Sequence, residues 1–155
     1  MDKKKLSIDT VRRAHQLAVW AHDGQFYNEE PYINHVQRVV NNVYAHKDSH
    51  NIFAKAAVAW LHDVVEDSSI TQGVIDKEFP EEVARAVSYI TRDLDKWWTD
   101  ETYMGYIKRV KKNELATSVK LKDIKDNVKS CNNDLDNWYK HLLKYQKATV
   151  ELRRE

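Results

Sequence analysis

The chain has 155 residues, 42% of them hydrophobic, with five Trp and eight Tyr, which is enough apolar material to bury a core and excludes a disordered chain. Twenty-five Lys and Arg against 24 Asp and Glu leave a net charge of +1, so there is no global electrostatic footprint for nucleic acid. A single cysteine, Cys131, excludes an internal disulfide framework and a Cys-based zinc site, and fits a reducing interior.

No apolar run approaches the ~18 residues of a membrane span, and the N-terminal Met1-Asp2-Lys3-Lys4-Lys5 lacks the apolar stretch of a signal peptide. The sequence therefore reads as a soluble, cytoplasmic protein without a membrane partner. Three Gly and two Pro leave little punctuation for hairpins and favour helices joined by short loops.

Asp9 or Thr10 is positioned to cap a first helix, whose apolar face is Val11, Ala14, Leu17, Ala18 and Ala21. His22-Asp23-Gly24-Gln25 stops it, and a polar loop runs to Glu30. Pro31 suits a helix N-terminus, and Ile33, Val36, Val39, Val40 and Val43 form a second stripe. Residues 52–65 are apolar nearly all round, the mark of a central buried helix. A turn at 68–71 leads into a short helix ending near Phe79-Pro80, and 81–91 repeats the period through Val83, Ala84, Val87 and Ile90. Residues 93–99, with Trp97-Trp98, break the period and read as a loop, packed on the core or acting as a lid. Helices are predicted over 101–112, 115–130 and 134–152. No segment alternates convincingly. The prediction is all-α, about seven or eight helices in one domain spanning 1–155.

The chemistry concentrates in Leu61-His62-Asp63-Val64-Val65-Glu66-Asp67, where one imidazole and three carboxylates end an apolar helix. Burying that much like charge is costly unless a cation neutralises it. Imidazole plus carboxylate suits Mn²⁺, Fe²⁺, Zn²⁺ or Ni²⁺; the alternative is a helix end with a solvated acidic tail. A catalytic metal needs at least three protein ligands and an open position. His35, between apolar turns of the second helix, is either a ligand or a hydrogen-bonded core residue. Asp123 and Asn127 stand at i and i+4 among Val119, Leu121, Ile124 and Val128, and the carboxylate there calls for Lys120, Lys125 or a metal. Glu66, one turn from His62, is placed to hold a water or take its proton. Tyr103, Tyr106, Lys108, Lys120, His141 and Tyr145 are the available donors to phosphate oxygens.

Four motifs follow in order: Gly24-Gln25 with Pro31-Tyr32-Ile33-Asn34-His35; Leu61 to Asp67; a Thr-containing turn leading to Phe79; and Val119-Lys120-Leu121-Lys122-Asp123 with Asn127. In these the chain resembles the HD-domain metal-dependent phosphohydrolases, and among them the small alarmone hydrolases of the Rel/SpoT and metazoan SpoT-homologue type. The resemblance covers the chain from about Ala14 to Asn127. It implies His35, His62, Asp63 and Asp123 as ligands of a divalent metal, usually Mn²⁺, with Fe²⁺, Zn²⁺, Ni²⁺ or Co²⁺ as alternatives. It further implies Glu66 and Asp67 as the residues that orient or activate water, and Asn127 as a substrate contact. Tyr103, Lys120 and Tyr145 complete the candidate substrate-binding set. Asp126 lies near the same face, but the motif spacing selects Asp123.

The chain departs from that family at three places. The loop that usually carries basic residues reads Phe26-Tyr27-Asn28-Glu29-Glu30, aromatic then acidic, and acids there would repel a pyrophosphate unless they point away. The family's last-helix Arg and Tyr have only His141 and Tyr145 as loose counterparts, and Lys122 stands where Ala is usual. The resemblance implies removal of the 3′-pyrophosphate from guanosine tetra- or pentaphosphate. A 5′-deoxynucleotidase or cyclic-nucleotide phosphodiesterase is the alternative enzyme, with Phe26-Tyr27 able to stack a base in either case. A non-catalytic nucleotide sensor is the third reading. In each the partner is a small phosphorylated nucleotide, and oligomeric state is not legible.

Overall fold

A helix that is apolar on every side must lie where other helices can cover it, and α3 (Ile52–Leu61) does. The computed structural model describes residues 2–46, 50–92, 100–131 and 137–155. The Trp97-Trp98 loop and residues 134–136 of the predicted last helix lie outside them. Ala54, Ala56, Ala57 and Ala59 give α3 little side-chain volume, so neighbouring axes can approach closely. It packs against α1 (Ile8–Ala21), α2 (Ile33–Ala45), α6 (Glu81–Ile90) and α8 (Glu114–Ser130). α7 (Asp100–Lys111) and α9 (Trp138–Arg153) pack on each other and on α8. The two short helices are α4 (Val64–Asp67) and α5 (Gln72–Glu78). One buried apolar cluster runs from Val11 in α1 to Leu152 in α9. Among the described residues there are thus seven helices of ten residues or more and two shorter ones, and the all-α prediction holds.

Two local differences have physical causes. The first helix starts earlier than predicted: Ser7 is its N-cap, with the Ser7 N–H donating to Thr10 Oγ1 at 3.0 Å, so Thr10 braces the cap from the first turn. The stretch predicted as a polar loop before Glu30 is a hairpin, with β1 (Phe26–Tyr27) antiparallel to β2 (Glu30–Pro31). Its turn needs two residues with positive φ, and Asn28 (φ 50°) and Glu29 (φ 65°) supply them without glycine. Pro31 accordingly ends a strand, and α2 begins after Tyr32.

Helix α3 stops at His62-Asp63 although the apolar period continues. Asp63, at φ −110° and ψ 0°, sits near the bridge region between α and β backbone. The His62 ring bonds back to its own helix, Nδ1 donating to the Ala59 carbonyl at 2.6 Å.

Candidate metal centre

The break after α3 brings His62 and Asp63 to the first turn of α2 and the middle of α8. One ligand atom from each of His35, His62, Asp63 and Asp123 lies within 4.8 Å of all the others. His35 Nε2 is 3.0 Å from Asp123 Oδ1 and 3.7 Å from Asp63 Oδ2. His62 Nε2 is 2.9 Å from Asp63 Oδ2 and 3.5 Å from Asp123 Oδ1. Donors about 2.0–2.2 Å from one divalent ion stand about 3–4 Å from one another. The donor set therefore has the spacing of a single-ion site.

Both imidazoles present the right nitrogen. A carbonyl can only accept, so the Ala59 contact fixes the proton of His62 on Nδ1 and turns the Nε2 lone pair toward the carboxylates. That Nε2 is buried and makes no hydrogen bond, despite its nearness to Asp63. An orphaned buried nitrogen among carboxylates is what a metal ligand looks like without its ion. His35 Nδ1 donates to Asp126 Oδ2 at 2.8 Å, leaving its Nε2 for the cluster. Arg38 Nε donates to the other Asp126 oxygen at 2.8 Å, and Arg38 also pairs with Glu30 at 2.7 Å. This imidazole-to-carboxylate support fixes the ring orientation of metal-binding histidines.

The carboxylates are held as firmly. The Tyr32 hydroxyl donates to Asp63 Oδ2 at 2.6 Å. Lys120 Nζ donates to Asp123 Oδ2 at 2.7 Å, and Asn127 Nδ2 to Asp123 Oδ1 at 3.2 Å. Burial alone would raise the Asp123 carboxyl, but Lys120 and the two imidazoles outweigh it and hold it well below the usual carboxylate range. Burial works against charging His35, yet Asp123 and Asp126 push it up to about 9. The cluster attracts positive charge strongly, and a proton and a divalent cation compete for the same Nε2 positions.

Beside the cluster opens a pocket of about 210 Å³ onto which His35, Asp63, Asp123 and Glu66 face. Glu66 is fixed by Arg92, whose backbone N–H reaches Oε1 at 2.6 Å and whose Nε reaches Oε2 at 3.1 Å. Burial, then the charge of Asp63, raises its carboxyl above the usual range, with Arg92 offsetting part of the effect. Of the sequence-selected substrate residues, Tyr103, Lys120, Asn127 and Tyr145 all line the pocket. Asp67 does not line it and is exposed; its carbonyl instead accepts from Gln25 Nε2 at 2.6 Å. Lys108 and His141 are not in its wall, and the Tyr106 hydroxyl donates to the Ile90 carbonyl in the core.

Tyr27, one of the two rings the sequence offered for stacking a base, lines the pocket. Sequence reasoning missed Tyr32, Arg92 and Lys144, which also line it, and the support given by Arg38 and Glu30. Arg38 and Asp126 each follow a cluster residue by three positions, a same-face spacing that would have flagged them. Glu30, which as a loop acid threatened to repel phosphate, is turned onto Arg38.

The sequence matches no family model and no curated protein. Among solved structures it is similar to a metazoan orthologue of SpoT that hydrolyses ppGpp and plays a role in starvation responses. The TM-score is 0.79 at 25% sequence identity, over 94% of this chain and 86% of that one. Motifs and architecture agree: this chain has the fold of a SpoT-type hydrolase, the group its sequence resembles.

Proposed function

We propose that the chain is a metal-dependent pyrophosphohydrolase that attacks the 3′-diphosphate of guanosine 3′,5′-bis(diphosphate) with water, releasing pyrophosphate and guanosine 5′-diphosphate. One observation carries the reading: four donors converge on one point, one of them an unpartnered buried imidazole nitrogen, and three of them, His35, Asp63 and Asp123, face a pocket in a fold shared with a ppGpp hydrolase. The ligands are His35, His62, Asp63 and Asp123, and Mn²⁺ is the ion proposed, with Fe²⁺, Zn²⁺, Ni²⁺ and Co²⁺ as alternatives. When bound, such an ion lowers the pKa of a coordinated water toward neutrality and screens the charge of a phosphoryl group.

The chain's own groups supply the rest. Glu66, held on both oxygens by Arg92 and with its proton affinity raised, orients the attacking water and takes its proton. Lys120 occupies one oxygen of Asp123 and leaves the other to the cluster. Asn127, Tyr103 and Tyr145 offer donors to phosphate and ribose oxygens along the wall. Asp67 stays beside Glu66 in the proposal as a second group for the water, since burial and then the charges of Asp63 and Glu66 push its carboxyl up to about 6. A cytoplasmic location belongs to the same proposal.

The test is a Mn²⁺-loaded assay with ppGpp beside deoxynucleoside monophosphates, cyclic nucleotides and a generic phosphodiester. Pyrophosphate release from ppGpp is expected. Orthophosphate from monophosphates, or no turnover with any of the five metals, overturns the proposal. A second reading, hydrolysis of another phosphorylated nucleotide, is favoured by the hairpin, which offers exposed Phe26 and Tyr27 rings and no Arg or Lys.

A further inference from the structure

A second cavity of about 160 Å³ lies between α7 and α9, lined by Tyr103, Met104, Lys140, Leu143, Lys144 and Lys147. Two of its residues, Tyr103 and Lys144, also wall the metal-side pocket, so the cavities adjoin. Lys140, Lys144 and Lys147 fall at i, i+4 and i+7 of α9, hence on one face. Lys144 Nζ lies 4.9 Å from the Tyr103 ring centre and 4.8 Å from that of Tyr145, astride the shared wall. Neither Lys140 nor Lys147 makes an ion pair among the described residues. Tyr103 is only 5% exposed, yet its hydroxyl has no hydrogen-bond partner. A buried unsatisfied hydroxyl carries a cost that an incoming oxygen acceptor removes.

On the metal-side pocket Arg92 is paired with Glu66 and Lys120 with Asp123. The hairpin offers no cation, and Glu30 is tied to Arg38. A nucleotide bearing two phosphorylated groups, with one at the metal centre, must balance the second elsewhere. We infer that the α7–α9 cavity is an anion subsite that takes the second, non-reacting diphosphate of the substrate, with Tyr103 donating to it at the junction and Lys140, Lys144 and Lys147 around it. This rests on the hydrolase reading for its substrate, but the binding can be measured without turnover.

The probe is guanosine 5′-diphosphate, titrated calorimetrically into wild type, the Lys140→Ala/Lys147→Ala double variant, and Lys125→Ala, which removes an exposed lysine of α8 as a charge control. The double variant is expected to bind it about tenfold more weakly, and Lys125→Ala like wild type. In the Mn²⁺ assay the double variant should raise KM for ppGpp by a similar factor. Guanosine 3′-diphosphate, which lacks 5′ phosphates, should keep its KM. Equal binding by wild type and double variant, an equal loss in Lys125→Ala, or equal KM rises for both substrates overturns the subsite. Wild type that binds the diphosphate but releases no pyrophosphate overturns the hydrolase reading and leaves the subsite standing.

Discussion

His35 Nδ1 and Asp126 Oδ2 meet at 2.8 Å in the interior although 91 positions separate them in the chain. That bond decides which nitrogen of His35 faces the cluster. Asp126→Asn removes the charge that supports the ring, and Mn²⁺ affinity should fall about 10–100-fold, measured by competition with a chelating dye. Unchanged affinity would show that the ring orients itself without Asp126.

Asp63→Asn should abolish metal uptake and turnover together, weakening binding by more than about 100-fold, because it removes a ligand where second-layer losses alone reach that size. Elemental analysis of purified protein and the pyrophosphate assay check both. Full activity in that variant would refute the ligand assignment. Chelator-stripped wild type should be inactive until Mn²⁺ is restored.

Glu66→Gln should keep its metal and lose about 10²–10⁴ in kcat, the range for a positioned general base. Gln retains an acceptor for the Arg92 N–H, so the fold should survive, as circular dichroism would show. A fast Glu66→Gln enzyme would mean that the water is handled by another group.

Metal affinity should weaken as pH falls. Without the ion, burial opposes but Asp123 and Asp126 raise the His35 imidazole to about 9, so at neutral pH a bound cation must displace its proton. Each displaced proton makes the apparent Kd rise about tenfold per pH unit below that value. Titrations at pH 6.5, 7.5 and 8.5 read the slope, and a flat profile would mean that the ion meets a neutral ring.

Glu29 holds φ 65° at the hairpin tip, a conformation unfavourable for residues with a Cβ. Glu29→Gly should stabilise the fold by about 0.5–1 kcal/mol in denaturant unfolding. A loss of stability would show that the Glu29 side chain contributes more than its backbone strain costs.

The helices were legible because each buries one stripe, and Val36, Val39, Val40 and Val43 announce theirs without help from elsewhere. The four clustering side chains were reachable through motif order, but their convergence was not, since it depends on how α2, α3 and α8 cross. The hairpin escaped because its turn uses Asn28 and Glu29 in place of the glycines that signal such turns. Arg38 carried a local signal in its spacing from His35, but Glu30 escaped because its meaning lies in a chain of contacts, from hairpin to Arg38 to Asp126, that no local pattern encodes. Lys144 gave no signal at all, being one of several lysines on its helix.

In an unbroken helix, neighbouring residues project about 100° apart and cannot aim at one atom. The irregular backbone at Asp63 is what lets two consecutive side chains converge on a common point. Substitutions that favour continuous helical winding across this joint would therefore make the segment more regular and the cation grip poorer. Local order and chemical competence pull in opposite directions at the residue pair where the chain gives up its winding.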